Sequence, residues 1–246
     1  GFGAQQARQV GIPGAELKGV YNALPFIIQK NTDIPLDIPP IEVKGRRVVV
    51  LGGGDTAMDC LRTAIRCGAS ETICVYRRDR ANMPGSRKEF DNSTEEGAQF
   101  KFLTNPVEIL GDADDNVRAV RCVRMELGEP DAGGRRKPIT VRGSEFDLPA
   151  DVILVAYGFD LVPFPPGSDL GQVQSTEWGG ILVDKHQMTN LPGVFAGGDV
   201  VRGPSLVVHA VRDARRAAQE IHRYLSNRRA DQLSPGQTDH LTPEPA

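Results

Sequence analysis

Apolar residues along this chain follow two rhythms, short β-branched runs and stripes spaced three and four apart, and the switch between them marks its clearest unit. Arg47-Val48-Val49-Val50-Leu51 is a continuous apolar run of the kind required by a strand buried on both faces of a parallel sheet. Gly52, Gly53 and Gly54 break it. Beyond them Ala57, Met58, Leu61, Ala64 and Ile65 recur at helical spacing, and Gly68 stands where a helix C-cap belongs. Thr72-Ile73-Cys74-Val75-Tyr76 returns to strand, so the pattern predicts one βαβ unit.

Downstream, Ser86 to Glu96 reads as a helix, with Ser86 as N-cap, Glu89 three residues on and Gly97 as the stop. Phe100-Lys101-Phe102-Leu103 resumes strand. Strands around Val117 to Met125 and Ile139 to Val141 flank the polar loop Gly128 to Lys137, as in a hairpin or meander. Asp151 to Ala156 is again a buried strand and ends at Tyr157-Gly158. The proline- and glycine-rich stretch Leu161 to Gly171 reads as a crossing between domains. A strand at Val194-Phe195-Ala196 and a long helix from about Ser205 to Leu225 follow, and the tail from Ser226 reads as frayed.

The opening stretch is less regular. It is turn-rich to about Lys30, with Gly11-Ile12-Pro13-Gly14 and a short amphipathic run around Val20 to Ile28. Thr32 to Pro40 is a proline-spaced linker, because each proline discourages helix in the residue before it. Residue 1 enters mid-pattern without a methionine, which suggests a fragment of a longer protein.

Length and composition narrow the classes. The 246 residues suffice for one large domain or two modest ones. A net charge of −3 gives no reason to expect nucleic acid or an anionic membrane as partner. No apolar run approaches the roughly 20 residues of a spanning helix, and the first residues lack the basic start and apolar core of a signal peptide. Cys60, Cys67, Cys74 and Cys122 are scattered singly, with no C-x-x-C pair. That spacing weighs against a redox dithiol, a zinc site or an iron–sulfur cluster on this chain, and suits small buried thiols in the cytoplasm.

Two strings carry chemistry. In Gly52-x-Gly54-x-x-Ala57 the first glycine permits the tight turn out of the strand, and the second lets backbone approach a pyrophosphate. Ala57 keeps helix and strand close. A pyrophosphate is then held by free amides at the helix N-terminus, which the chain offers from Gly53, Asp55 and Thr56 as well. A site for NAD wants an acid at the end of the second strand, but this chain has Tyr76-Arg77-Arg78-Asp79-Arg80. Adjacent guanidiniums bind a 2′-phosphate bidentately, so Arg77 and Arg78 point to NADPH. The competing reading, a solvated basic loop, is disfavoured by position, since the run lies where the strand hands over to the ribose.

The second string is Asn190 to Asp199, in which a strand delivers Gly198-Asp199 at its C-terminal end before Pro204-Ser205-Leu206 opens a helix. A carboxylate at Asp199 suits a flavin's ribityl hydroxyl, and a helix N-terminus beyond it favours negative charge on the reduced ring.

Together these strings resemble the NADPH-binding small subunits of bacterial glutamate synthase, a family of two-dinucleotide flavoprotein reductases. The resemblance rests on Gly52 to Cys60, Tyr76 to Arg80, Asn82-Met83-Pro84-Gly85-Ser86, Gly193 to Gly203, Ser205 to Val208, Tyr157-Gly158-Phe159 and the Ile12-Pro13-Gly14 segment. It implies an α/β fold in which a Rossmann-like, three-layer βαβ NADPH domain, residues 45–160, is inserted into a partial FAD-binding Rossmann-like domain. Residues 1–44 and 161–225 would then belong to the flavin domain with its linker, and 226–246 to a flexible tail. Gly158 would be the interdomain turn, and Gly198, Asp199, Ser205, Leu206 and Val207 would face FAD. The family's first glycine fingerprint and its iron–sulfur segments are expected upstream of Gly1, so the FAD pocket is incomplete here.

The resemblance further implies hydride transfer from NADPH to FAD and onward electron flow through iron–sulfur clusters. The partner would be a large subunit making L-glutamate from L-glutamine and 2-oxoglutarate. No side chain need act as catalytic acid or base, and no metal ligand is assigned. His209 and Ala214 depart from the Trp and Gly expected in the last helix, and an ordinary histidine is the simpler reading of His209. His186, His222 and His240 have no evident partners in the sequence. A thioredoxin-reductase relative would need the absent C-x-x-C. The closer rivals are a reductase subunit for another acceptor, ferredoxin-linked or pyrimidine-reducing, and for the fragment alone an NADPH-binding module without turnover.

Overall fold

The structure, a computed structural model, describes residues 1–130 and 136–233, with the side chains of the last five of these left aside. The chain divides into two compact units, one of Ala7–Gly158 and one of Gly1–Gln6 with the chain from Phe159 on. The smaller numbers and the larger ones thus meet in one unit, and the nucleotide fingerprint lies whole within the other.

The Ala7–Gly158 unit is built on a five-stranded parallel sheet. Its members are β1 (Val20–Asn22), β2 (Arg47–Leu51), β3 (Glu71–Val75), β4 (Gln99–Lys101) and, last in sequence, β9 (Val152–Val155). Their spatial order is β1-β9-β2-β3-β4. Side chains of β2 alternate between two cores, as pleating dictates. Val48 and Val50 pack with Ala23, Phe26, Ala57, Met58 and Leu61 from α1 (Ala23–Asn31) and α2 (Asp55–Arg66). Val49 and Leu51 face Ile109, Val120, Cys122 and Leu148 on the other side. Those residues belong to an antiparallel sheet of β5 (Thr104–Gly111), β6 (Val117–Pro130), β7 (Arg136–Thr140) and β8 (Phe146–Pro149). Helices, parallel sheet and antiparallel sheet make three layers, and the α/β, Rossmann-like class is the one the sequence predicts.

Helix ends follow local chemistry. After α2, Gly68 takes φ +82°, its N–H donates to Ile65 O and that of Ala69 to Ala64 O, which closes a Schellman cap. Ser86 caps α3 (Arg87–Glu95), its hydroxyl accepting from Glu89 N–H at 3.2 Å. The reciprocal half of the box is missing, because the Glu89 carboxylate takes Arg62 of α2 instead at 2.6 Å. Arg62 also binds Glu96 at 2.8 Å, so α2 and α3 are clamped side by side.

Several expectations need correcting. The nucleotide unit begins well before Gly45. Val20–Asn22 hydrogen-bonds along β9, and Phe26, Ile41 and Val43 are fully buried in the helix-side core, so the proline-spaced linker runs within this unit. β5 and β8 carry no clean alternation and form because β6 offers both its edges. Strand backbone extends through Gly128–Pro130 and from Arg136, while residues 131–135 of the expected loop lie outside the described residues. Val194-Phe195-Ala196 forms only a bridge from Phe195 to Met188, since the run 187–189 that it pairs with is short and the Val194 N–H turns back to Leu191 O. The last helix starts at Val207 and continues to Leu233, beyond Ser226 where a frayed tail was expected. The remainder of the tail, His240 included, lies outside the described residues. Among those described, no helix is long and apolar enough to cross a membrane.

One ion pair fastens the sheet edgewise. Asp151, just before β9, accepts from the Arg47 backbone N–H at 2.8 Å and from its guanidinium Nε at 3.0 Å. The Arg47 hydrogen bond holds the Asp151 carboxyl below its usual range, outweighing partial burial. A carboxylate with a depressed folded pKa adds stability above its unfolded value of about 3.9 that is lost as pH falls through the folded one. Asp151→Asn is therefore expected to flatten the acid limb of the stability profile below about pH 4, while costing less than about 1 kcal/mol near neutrality because both side chains are partly exposed. Urea unfolding at a series of pH values reads this directly.

Candidate functional site

Each glycine of the turn between β2 and α2 answers a different steric demand. Gly52 takes φ +135°, and a Cβ there would lie 2.4 Å from Ala156 O at the end of β9. At Gly53 a Cβ would meet the Tyr76 ring at 2.6 Å. Gly54 has nothing within 4 Å of its would-be Cβ. It is also the N-cap of α2, with no side chain capping the helix. The first turn of α2 thus has no capping side chain, and Gly54 carries none that would fill the space beside it, which suits a pyrophosphate cradle. Ala57 is fully buried and holds the helix against the sheet.

The basic string sorts itself. Asp79 is spent on local structure, its carboxylate accepting from Asn82 N–H at 2.9 Å and Nδ2 at 2.7 Å. The Arg80 guanidinium sits 4.0 Å over the Phe90 ring. Arg77 is exposed, whereas the Nε of Arg78 is buried and has no hydrogen-bond partner. A buried guanidinium N–H without an acceptor is costly, and a phosphate oxygen at the end of β3 would satisfy it. The residues present therefore fit the phosphates of NADPH. Nearby, Tyr157 is pushed up to about 12 by burial, with the Arg77 charge pulling the other way.

Asp55 departs from the role the fingerprint suggests. Its carboxylate turns aside and accepts the Ser86 N–H at 2.7 Å, tying the turn to the start of α3. Thr56, half-buried in the first turn, remains beside the open N-terminus.

In the other unit, α4 (Asp199–Arg202) starts directly after Gly198, which takes φ +78° and ψ −152°. The Oδ1 of Asp199 is buried and unpartnered. A polyol hydroxyl is the donor such an oxygen lacks, so this carboxylate fits the sugar-alcohol chain of a flavin. What holds the turn was not legible in the strings above: Asp213 on α5 (Val207–Leu233) accepts from Gly198 N–H at 3.1 Å and from Arg202 Nε at 2.8 Å. Asp213 is 3% exposed. Burial alone would raise its pKa, but the hydrogen bonds from Arg202 and Gly198, with the charges of Arg202 and Arg212, outweigh it and hold the carboxyl low. The sequence signal was an acid on the inward stripe Ala210, Asp213, Ala217 of a helix whose outward face mixes charged and exposed apolar residues.

Ser205, Leu206 and Val207 lie at the start of α5, with Leu206 and Val207 largely exposed and Ser205 Oγ 2.9 Å from His209 Nδ1. His186 pairs with Glu220 at 3.0 Å. Gly158, at φ +87°, sits at the division between the units. Among the described residues no cluster of three metal-ligating side chains occurs, and the four cysteines are free. Burial pushes the thiol of Cys74 up to about 12.

Comparison with known proteins places the chain. It is 47% identical over 232 residues to the putative oxidoreductase AegA of Escherichia coli (strain K12), covering 90% of this chain and 35% of that protein. It is 45% identical over 229 residues to the glutamate synthase (NADPH) small chain of Azospirillum brasilense, covering 90% and 47%. The chain thus spans half or less of the length of these curated relatives. The structure of Mycobacterium tuberculosis FprA in complex with NADPH shares the fold, with a TM-score of 0.74 at 21% identity, over 97% of this chain and 66% of FprA. The family model for pyridine nucleotide-disulphide oxidoreductases matches residues 2–214, and the chain belongs to that family.

Proposed function

We propose that this chain is the NADPH-binding part, with a portion of the FAD site, of a flavoprotein reductase subunit of the glutamate synthase type. The observation that carries the reading is the buried, unpartnered Nε of Arg78 at the end of β3, in the unit whose Gly54 leaves the α2 N-terminus open. When both cofactors are bound, NADPH supplies a hydride and the flavin accepts it. The chain's own residues bind and orient. Amides of the Gly52–Ala57 turn hold the pyrophosphate, Arg77 and Arg78 take the 2′-phosphate, and Asp199 holds a ribityl hydroxyl. Gly198, kept in its φ +78° turn by Asp213, lets backbone approach the flavin closely, with Ser205, Leu206 and Val207 beyond it.

In the whole protein, electrons would leave through iron–sulfur clusters to a large subunit that forms L-glutamate from L-glutamine and 2-oxoglutarate. The four free thiols suit a cytoplasmic setting. A second reading, the same reductase serving a different acceptor, is favoured by the equally high likeness to AegA. The test uses the whole protein. It is expected to be yellow, to bleach on anaerobic addition of NADPH much faster than with NADH, and to oxidise NADPH on addition of glutamine and 2-oxoglutarate when the large subunit is present. A colourless protein overturns the flavoenzyme reading. Bleaching without glutamate formation selects the other acceptor.

A further inference from the structure

We infer that Asp55 is a positioning residue, one that laces the Asn82–Ser86 segment onto the glycine turn and so shapes the far wall of the dinucleotide site. The inference rests on the NADPH reading above and deepens it. By its place in the fingerprint, one residue after Gly54, Asp55 would line the pyrophosphate. A carboxylate in that position would repel the ligand it is meant to hold.

The geometry resolves the conflict. The Asp55 side chain points away from the open N-terminus, and its Oδ1 accepts the Ser86 N–H at 2.7 Å. Beside it the Gly85 N–H donates to Gly53 O at 2.8 Å. A Cβ at Gly85 would stand 3.0 Å from that same carbonyl oxygen, so the two backbones run in close contact. A third tie comes from Tyr76, whose hydroxyl donates to Asn82 O at 2.7 Å while its ring covers Gly53. Three hydrogen bonds from three residues therefore pin one segment over one turn. Asp55 supplies the only side-chain acceptor among them, and it acts on the residue that caps α3. Rotating this carboxylate toward Ser86 also takes its charge off the phosphate cradle.

The test separates hydrogen bond from charge. Asp55→Asn and Asp55→Ala remove the same charge and the same favourable interaction with the α2 dipole, but only the Asn keeps an acceptor for Ser86 N–H. Calorimetric titration with NADPH is expected to show Asp55→Asn binding at least as tightly as the unaltered chain. Asp55→Ala is expected to bind roughly tenfold more weakly than Asp55→Asn, the worth of one lost hydrogen bond. Amide exchange at Gly85 and Ser86, measured without ligand, is expected to quicken in Asp55→Ala and not in Asp55→Asn. Equal NADPH affinities for the two variants overturn the inference, as does equal exchange. Failure of the underlying cofactor reading shows differently, as an unaltered chain that binds no NADPH while exchange at Ser86 still separates the variants.

Discussion

Replacing Arg77 and Arg78 together by glutamate is expected to erase the preference for NADPH over NADH. The 2′-phosphate is the only group by which the two cofactors differ, and hydrogen bonds to charged groups are each worth about 1.5–3 kcal/mol. Losing two such contacts lowers the NADPH:NADH affinity ratio by roughly 10²- to 10⁴-fold. A carboxylate at the end of β3 is also the group that accepts from a ribose 2′-hydroxyl, so NADH affinity is expected to hold or improve. The single variants sort the two arginines. Arg78 presents a buried Nε without a partner, whereas Arg77 is exposed. Arg78→Gln is therefore expected to cost more NADPH affinity than Arg77→Gln, because ion pairing at an exposed guanidinium is screened by solvent. Paired calorimetric titrations with NADPH and NADH measure both effects, and an unchanged ratio in the double variant overturns the assignment.

The parts of this fold that were legible in the sequence are those whose causes are local. The β2 run, the three glycines, the apolar stripe of α2 and the Schellman glycine at Gly68 each specify their own conformation. The capping serine of α3 did the same. Where the cause lies at a distance, the pattern fell short. Thr104–Gly111 contains a proline and polar residues, and becomes a strand because β6 pairs with it across a bulge near Pro106. Val20–Asn22 is too short to announce itself, yet β9 supplies its ladder. The prolines of 32–40 resembled a domain linker, but Ile41 and Val43 beyond them fill the core under α2.

The candidate site divides along the same line. Residue type and spacing located the glycine turn and the arginine pair. Direction was invisible: nothing in the string says that Asp55 turns to Ser86, that Arg80 stacks on Phe90, or that Arg78 is the one of its pair with a buried Nε. Asp213 was missed for a different reason. It lies fourteen positions beyond Asp199, on a helix whose neighbouring charges disguise one that faces inward.

That buried acid makes the other large prediction, which concerns Arg202→Met. Asp213 is buried at 3% exposure, and burial is the largest influence on its titration, acting to raise the pKa. Arg202 reverses the sign through its hydrogen bonds and charge. In the unaltered chain the depressed carboxyl stabilises the fold at pH values above its unfolded pKa of about 3.9, and that contribution fades as pH falls through the folded value. Without Arg202, one hydrogen bond from Gly198 and the exposed Arg212 remain against desolvation. The folded pKa is then expected to rise above the unfolded one, so the variant gains stability as pH falls from neutral toward 4, where the unaltered chain gains none from this group. At neutral pH the uncompensated charge is expected to cost on the order of 3 kcal/mol, the lower range for breaking a buried pair, since the Arg202 side chain is itself partly exposed. Asp213→Asn combined with Arg202→Met removes the stranded charge and is expected to recover part of that loss and to abolish the slope. Thermal unfolding of the three proteins between pH 4 and neutrality decides the matter. A single variant whose stability falls with pH as the unaltered chain's does would mean that Arg202 is not what holds Asp213 ionised, and that the Gly198 N–H and Arg212 suffice.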